Sequence, residues 1–319
     1  MFWTGELIAR SAPTRRRLAG DPPLAPTLER ATAAYLGLAI GDALGSTVEF
    51  MTPGEIRQQY GIHREMIGGG WLRLKSGQVT DDTTMSLALG DAILARGHVD
   101  AKAAADAFDA WMRAKPVDIG NTVRRNLITY RKTGNPEAPA SEHDAGNGAA
   151  MRILPVALAT FGQPEEVVRA ACAAQGHTTH HNALSDAACE VLALMVQDFI
   201  AGKDAMAVER ERLAPLVDAN PHFAYDRKRR DNPSGFVVET LQAVFQAFYA
   251  TETFEDCLIE IVNRGGDADT TGAIAGMLAG ARYGLREIPR RWRNDLDGET
   301  HRRCWDQAQA LIGMGKTGL

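Results

Sequence analysis

Residues 263–284 read NRGGDADTTGAIAGMLAGARYG, and this stretch decides the fold. Its second half predicts a helix built almost wholly from small and apolar residues. Four glycines recur at every fourth position and therefore share one helix face: Gly272, Gly276, Gly280 and Gly284. A glycine inside a helix costs up to about 1 kcal/mol relative to alanine. The pattern thus predicts a buried helix whose glycine face packs closely against the backbone of a neighbour.

The start of this helix is rich in side-chain oxygens, which come from Asp267, Asp269, Thr270 and Thr271. The simplest interpretation is an N-cap, because Asp and Thr side chains accept hydrogen bonds from the free N–H groups of a helix start. One such residue is enough for a cap, and two carboxylates this close repel each other unless a cation lies between them. Carboxylate and hydroxyl oxygens are hard ligands, which suit Mg²⁺, Mn²⁺ or Ca²⁺ better than zinc.

The same chemistry occurs a second time, far upstream. Residues 80–84 read TDDTT and precede an apolar helix predicted over residues 85–94. If the two acidic helix starts meet in space, they supply enough oxygen ligands for a dinuclear metal site. This meeting is the central hypothesis from the sequence.

Composition excludes several classes of protein. The chain has 319 residues, of which 45% are hydrophobic and 24% are charged, as is typical of soluble globular proteins. A formal net charge of −5 gives no reason to expect a nucleic acid or an anionic membrane as partner. No apolar run is long enough for an integral membrane segment. Four cysteines without paired spacing fit a reducing cytoplasm, so we expect a cytoplasmic protein.

The periodicity of the chain is helical nearly throughout, and strand signals are almost absent. We therefore predict an all-α fold, with function on the loops between helices. No linker divides the chain, so one compact domain is expected over residues 26–319. Residues 1–25, which are rich in proline and arginine, are predicted to form a flexible N-terminal tail.

A glycine-containing loop, HDAGNG at residues 143–148, offers a second candidate site. It precedes a helix predicted over residues 149–160, which Pro155 is expected to kink. A flexible loop at a helix start presents free N–H groups to an anion such as a diphosphate. An Asn-Gly turn without any ligand would have the same sequence.

Isolated polar residues complete the set of candidates. Glu49 lies in an apolar segment, which favours a buried functional carboxylate over a surface one. Asp118 precedes a predicted helix, where an N-cap is its simplest role. His177, His180 and His181 match no common zinc-finger spacing, which favours a polar loop that places one histidine near a ligand.

Several of these motifs, in this order, resemble the ADP-ribosylglycohydrolase family over about residues 28–285. Each motif is weak alone, but the ordered set is highly specific. The motifs are GDALG at residues 41–45 with Glu49, TDDT at residues 80–83, GNG at residues 146–148 with Met151 and Arg152, and GDADTTG at residues 266–272.

The resemblance implies a compact, single-domain, all-α fold with a dinuclear metal cleft that holds two divalent ions, Mn²⁺ or Mg²⁺. The residues that match the family's metal ligands are Thr80, Asp81, Asp82, Asp267, Asp269 and Thr270. Asp118 matches a carboxylate that is implicated in catalysis, and Glu49 matches a glutamate at the metal centre. Asp118 is therefore the first candidate for the catalytic carboxylate and Glu49 the second. The positions that match the lining of the ADP-ribose cleft are Asn121, Gly146, Asn147, Gly148, His180 and Phe236, the last standing where tyrosine is frequent.

The activity that the resemblance implies is hydrolysis of the N-glycosidic bond between ADP-ribose and an arginine side chain. The similarity is greatest to family members that act on dinitrogenase reductase, through DIGN at residues 118–121, YRKTGNP at 130–136 and SGFVV at 234–238. The expected partners are therefore the ADP-ribosylated nitrogenase iron protein, as substrate, and a PII-type signalling protein. Two alternatives stay open: hydrolysis of serine-linked or small-molecule conjugates of ADP-ribose, and a non-catalytic regulator that only binds ADP-ribose.

Overall fold

The computed structural model of the protein describes residues 24–316, whose regular secondary structure is helical with no β-strand. The expected tail, residues 1–25, falls almost entirely outside them. The α-helices are α1 (Pro26–Gly45), α2 (Pro53–Tyr60), α3 (Asp81–Arg96), α4 (Ala101–Arg113), α5 (Asn121–Thr133), α6 (Leu154–Ala159), α7 (Glu165–Gly176), α8 (Ala183–Ile200), α9 (Ala205–Val208), α10 (Ala214–Ala219), α11 (Val237–Ala250), α12 (Phe254–Val262), α13 (Ala268–Tyr283), α14 (Arg290–Asp295) and α15 (Gly298–Lys316). A short π-helix, Glu209–Leu213, joins α9 to α10. The predicted all-α class is confirmed.

The centre of the fold is the pair formed by α1 and α13. Every residue of α1 from position 31 to position 45 is buried, and so is every residue of α13 from position 268 to position 281. A helix that is apolar on all sides is stable only when neighbours cover it on all sides. Helices α8, α11 and α12 pack against α13, while α15 packs against α1.

The glycine face of α13 meets a second glycine face, on α1. The two helices run antiparallel, so that Gly37 lies opposite Gly276 and Gly41 lies opposite Gly272. A Cβ atom added at Gly41 would lie 1.9 Å from the carbonyl oxygen of Gly272, and one added at Gly276 would lie 2.0 Å from that of Gly37. The predicted close backbone contact is therefore present.

The fourth glycine of the pattern has a different role. Gly284 ends α13 with a φ of +83°, a backbone conformation that favours glycine. Its neighbour is the carboxylate of Glu29, which accepts a hydrogen bond from the backbone N–H of Leu285 at 2.5 Å. The close contact between backbones thus ends one turn before this glycine.

The structure corrects one predicted helix. Residues 148–152 form turns, and α6 begins only at Leu154. Pro155 therefore lies in the first turn of α6 and does not kink a longer helix. The first turn tolerates proline because the N–H groups there have no partner within the helix. As a result, the segment between Gly146 and Ile153 is a loop.

We predict that Gly276→Ala destabilises the protein by about 3 kcal/mol, because the added methyl group would meet a main-chain oxygen that cannot move aside. Gly313→Ala is the matched control, since it also changes a helical glycine but has no atom within 4 Å of the added carbon. The control should be neutral or stabilising by up to about 1 kcal/mol. Urea denaturation followed by circular dichroism measures both effects. Equal denaturation midpoints for the two variants would contradict the proposed contact.

Candidate active site

The two acidic helix starts meet at one place. The hydroxyl of Thr80 lies 3.2 Å from Oδ2 of Asp82 and 3.4 Å from Oδ2 of Asp269. The hydroxyl of Thr270 lies 3.4 Å from the same oxygen of Asp82. Because Thr80 and Asp82 belong to the start of α3 whereas Asp269 and Thr270 belong to that of α13, these contacts join segments almost 190 residues apart. The central hypothesis from the sequence is therefore supported by the geometry.

A buried carboxylate on α1 holds the start of α3 in place. Asp42 is fully buried, and it accepts hydrogen bonds from the backbone N–H groups of Thr80 and Thr83 and from the Thr83 hydroxyl at 2.5 Å. A carboxylate at a helix N-terminus satisfies free N–H groups and interacts favourably with the helix dipole. Asp42 therefore supplies the cap, and the side chains of Asp81 and Asp82 are left to point elsewhere.

Carboxylates crowd together where the two helices begin. Oxygens of Glu49, Asp267 and Asp269 lie within 4.8 Å of one another, and Asp81 and Asp82 are buried in the neighbouring first turn. Among the described residues, the hydrogen-bond donors to these five carboxylates are hydroxyl, amide, indole and backbone N–H groups, and none is an ammonium or guanidinium group. No cationic side chain of the described residues thus donates a hydrogen bond to these carboxyl groups.

Burial and this crowding raise the pKa values of Glu49, Asp81, Asp82 and Asp269. Burial is the largest cause in each case, and the neighbouring carboxylates add to it. The pKa of Glu49 rises to about 8 and that of Asp81 to about 7, while those of Asp82 and Asp269 lie well above their ordinary value. Ionisation of all these groups together is therefore unfavourable in the absence of a bound cation.

The cluster fits divalent cations. Oδ1 of Asp82 is buried and has no hydrogen-bond partner among the described residues, which is rare for a carboxylate oxygen in a folded protein. The surrounding donors are carboxylate and hydroxyl oxygens, the ligands that hard divalent cations prefer. The side chains of the predicted metal-ligand set that converge here are those of Thr80, Asp81, Asp82, Asp267, Asp269 and Thr270.

A cleft of about 640 Å³ opens above the cluster. The predicted site residues that line it are Glu49, Asp81, Asp118, Asn121, Gly146, Asn147, Gly148, His180, Asp267, Asp269 and Thr270. Thr80 and Asp82 lie beneath this lining and are buried. Phe236 is not part of the lining: its backbone pairs with that of Gly146 in an isolated β-bridge, and its side chain is 41% exposed at the rim.

Asp118 faces the cleft and is not the N-cap that the sequence suggested. The residue at the cap position of α5 is Gly120, and no side chain among the described residues caps this helix. One oxygen of Asp118 accepts a hydrogen bond from the Ile119 N–H at 2.7 Å, and burial raises the pKa of its carboxyl group. The N–H of Gly120 lies 3.3 Å from Oδ2 of Asp81, which ties this loop to the carboxylate cluster.

The glycine loop supports the cluster from the opposite side. The side-chain amide of Asn147 donates to Oδ2 of Asp267 at 2.6 Å and to the hydroxyl of Thr240 at 3.0 Å. Asn147 therefore orients Asp267 in addition to lining the cleft. Its neighbour Gly148 must lack a side chain, because an added Cβ atom would lie 2.7 Å from Cε1 of His180.

His180 is held as a neutral hydrogen-bond donor. Burial lowers its pKa to about 3, and its Nδ1 lies 2.8 Å from the hydroxyl of Thr179. Arg152 donates to the oxygen of that hydroxyl at 2.8 Å, so the hydroxyl hydrogen is free to bond to Nδ1. The proton of the neutral ring then resides on Nε2, close to Gly146 and Gly148. Arg152, whose role sequence reasoning missed, thus orients the ring through Thr179.

A second group of possible ligands lies outside the cleft. Atoms of Glu137, His177 and His181 come within 4.8 Å of one another, and the two imidazole rings stack with centroids 3.8 Å apart. Nε2 of His177 bonds to Asp186 at 3.0 Å, and Nδ1 of His181 bonds to the carbonyl of Ala138 at 2.9 Å. Acceptors of the protein therefore already hold both rings.

No helix within residues 24–316 combines the length and the apolar character that a membrane crossing requires.

Comparison with known proteins agrees with this geometry. A sequence model of the ADP-ribosylglycohydrolase family matches residues 23–317. The ADP-ribosyl-[dinitrogen reductase] glycohydrolase of Rhodospirillum rubrum is 51% identical over 286 residues, which cover 90% of this chain and 96% of the relative. The ADP-ribosylarginine hydrolase Tri1 of Pseudomonas putida is 34% identical, over 83% of this chain and 73% of the relative.

Similarity extends to a solved structure. An ADP-ribosylglycohydrolase-related protein complex superposes with a TM-score of 0.82 at 36% sequence identity, covering 92% of this chain and all of the other. The chain therefore belongs to the ADP-ribosylglycohydrolase family.

The raised carboxyl pKa values predict how the stability of the metal-free protein depends on pH. Carboxyl groups whose pKa is higher in the folded than in the unfolded state contribute stability that is full below about pH 4 and is lost as pH rises through the folded values. Those values reach about 7 for Asp81 and about 8 for Glu49. We expect the melting temperature in a chelator to fall between pH 5 and pH 8, and saturating Mn²⁺ or Mg²⁺ to flatten this decline.

A variant isolates the cluster from other titrating groups. Asp269→Asn removes one buried charge, so it should raise the melting temperature of the metal-free protein at pH 8 by about 2 °C or more and make the decline shallower. Asp218→Asn, on the exposed surface, is the control and should leave the slope unchanged. Thermal unfolding followed by circular dichroism gives both slopes. Equal slopes of melting temperature against pH for the two variants would contradict this interpretation.

Proposed function

We propose that this member of the ADP-ribosylglycohydrolase family hydrolyses the N-glycosidic bond between ADP-ribose and an arginine side chain, with ADP-ribosylated dinitrogenase reductase as its protein substrate. The observation that carries the proposal is the convergence of two acidic helix starts at the floor of one cleft. The 51% identity to a relative named for this reaction, along 96% of that relative, supports the choice of substrate.

We assign the floor of the cleft to two divalent ions, Mn²⁺ or Mg²⁺. Their ligands would be Thr80, Asp81, Asp82, Asp267, Asp269 and Thr270, with Glu49 beside them. Bound there, divalent ions would neutralise the carboxylates, polarise the hydroxyl groups of a ribose and lower the pKa of a bound water molecule. Oδ1 of Asp82, which is buried and has no hydrogen-bond partner in the part of the chain that the structure describes, is the feature that calls for such an ion.

The part of the cleft lining near Asn121, His180 and the glycine loop suits the diphosphate and the adenosine of ADP-ribose. No side chain within residues 24–316 caps α5, so its first N–H groups, near Asn121, can donate hydrogen bonds to an anion. The Nε2–H of His180 and the loop that contains Gly146 and Gly148 add uncharged hydrogen-bonding groups beside it. Phe236 at the rim offers an aromatic face to the adenine, although it lacks the hydroxyl of a tyrosine.

The chemical step breaks the bond between C1 of the ribose and a guanidine nitrogen. The electron pair of that bond leaves with the nitrogen, which accepts a proton, while positive charge develops at C1. Water supplies the hydroxyl group to C1 and gives its proton to a general base. We assign the base to Asp118, which is half-buried in the cleft wall. Only one of its oxygens accepts a hydrogen bond from the described residues, so the other can accept a proton. Glu49 is the second candidate, although its Oε2 already accepts a hydrogen bond from Trp71.

Two expectations about cellular context belong to the same proposal. A cytoplasmic location follows from the protein substrate. A PII-type signalling protein as regulatory partner stays a prediction from the resemblance, because no contact among the described residues bears on it.

The decisive experiment incubates the protein with ADP-ribosylated dinitrogenase reductase, with and without Mn²⁺, and measures free ADP-ribose by chromatography. We expect release only when the divalent ion is present. Serine-linked ADP-ribose is assayed in parallel, and a faster reaction on it would favour the alternative substrate class. Binding of ADP-ribose by calorimetry without any turnover would favour a regulator.

For the base, we predict that Asp118→Asn lowers kcat by about 10²- to 10⁴-fold and changes the affinity for ADP-ribose only a few-fold. The asparagine can still accept the hydrogen bond from Ile119, so the loop should be retained. Asp218→Asn serves as the surface control with an unchanged rate. Full activity of Asp118→Asn would remove this residue from the catalytic step.

A further inference from the structure

One end of the cleft carries exposed aromatic rings. Phe50 is 64% exposed, Trp71 is 53% exposed, and both side chains line the cleft. Their ring centroids lie 5.5 Å apart at an angle of 46°. Within residues 24–316, the one other large aromatic side chain that is comparably exposed is that of Phe236, at the rim. Exposed aromatic surface that is gathered at a cleft is typical of a binding site.

The backbone holds these two rings in place. Phe50 has a φ of +63°, which is unfavourable for a bulky residue, and its N–H donates to the carbonyl of Gly266 at 2.7 Å. Trp71 lies in a tight loop closed by two hydrogen bonds of 2.8 Å between Gly69 and Leu74. The loop rests on the end of α1, since a Cβ atom added at Gly70 would lie 2.3 Å from the Ser46 carbonyl oxygen. The aromatic pair is therefore preorganised.

The electrostatics at this end suit a cation. The indole N–H of Trp71 donates to Oε2 of Glu49 at 2.6 Å, so the positive edge of the ring points at the carboxylate. The negative face of the ring is then available to a ligand. Glu49, which Trp71 contacts, has an oxygen within 4.8 Å of an oxygen of Asp267. Asp267 in turn accepts a hydrogen bond from Asn147 in the glycine loop. The aromatic end and the uncharged glycine-loop wall thus flank the carboxylate floor.

We propose that Phe50, Trp71 and Glu49 form a subsite for the guanidinium group of the target arginine. This inference rests on the proposed function. It adds to that function the residues that select arginine over an uncharged attachment residue. A guanidinium group is planar and weakly hydrated, and it stacks on aromatic faces while donating hydrogen bonds to a carboxylate at its edge. The oxygen of a serine-linked substrate can neither stack on the rings nor donate hydrogen bonds to Glu49.

Two substitutions of Trp71 distinguish the contribution of its aromatic face from that of its hydrogen bond to Glu49. Trp71→Ala removes both, whereas Trp71→Phe keeps an aromatic face and loses only the N–H bond to Glu49. Ile67→Ala is the matched control, because it shortens another exposed apolar side chain at the start of the same loop, outside the cleft lining. Each variant is assayed for kcat/KM on arginine-linked and on serine-linked ADP-ribose. Calorimetry with ADP-ribose and with agmatine, a guanidinium probe, measures binding without turnover.

The subsite predicts that Trp71→Ala lowers kcat/KM for the arginine-linked substrate and the affinity for agmatine by about 10-fold. The affinity for ADP-ribose should change less than about 2-fold, and Trp71→Phe and Ile67→Ala should stay close to the unmodified protein. An unchanged ratio of the two substrates in Trp71→Ala overturns the subsite. A loss of ADP-ribose affinity as large as the loss of agmatine affinity would also overturn it. A Trp71→Phe variant as impaired as Trp71→Ala would overturn it too, because the indole would then be a positioning group for Glu49.

Failure of the subsite and failure of the proposed function give different results. If the unmodified protein releases no ADP-ribose from arginine, the proposed function fails, while agmatine binding still tests the aromatic site. If the unmodified protein is active on arginine and the Trp71 variants keep their preference and their agmatine affinity, the subsite alone is wrong.

Discussion

The contact between the backbones of α1 and α13 is the constraint on which the rest of the structure depends. Glycines on both helices let the two axes approach until main-chain atoms touch, as at Gly41 and Gly272. Because the helices are antiparallel, this contact sets the last turn of α1 beside the first turn of α13. Asp42, near the end of α1, can then cap α3 while Asp269, at the start of α13, faces the same helix start. The glycine contact thus determines where the carboxylates meet.

The cluster is possible because the carboxylates at the two helix starts have different roles. A helix that begins with two acidic residues would ordinarily use one of them as its cap. Here Asp42 takes over that task for α3, and Asn147 holds Asp267 at the start of α13. The first-turn side chains therefore converge on one another. This convergence raises their carboxyl pKa values, and it leaves one carboxylate oxygen of Asp82 without a hydrogen-bond partner among residues 24–316.

The sequence predicted the elements that depend on local patterns and missed those that depend on distant contacts. Spacing alone indicated a close neighbour for Gly272 and Gly276, but it could not say that the neighbour was α1. Asp42, Arg152 and Trp71 received no role, since each acts through a residue far along the chain. A carboxylate within the apolar first helix was the one local signal for Asp42.

The two errors in detail have a common physical origin. Local sequence rules give the commonest role for each residue type, so they favour an N-cap role for Asp118 and one kinked helix over residues 149–160. In the structure, Gly120 takes the cap position of α5, and Pro155 lies in the first turn of a shorter helix. Both departures leave backbone N–H groups and a carboxylate facing the cleft. The repulsion within that cleft cannot relax by moving α13, because α13 rests on main-chain atoms of α1 that have no side-chain freedom. The backbone contact between the glycines of α1 and α13 thus keeps the carboxylates at distances that favour a cation between them.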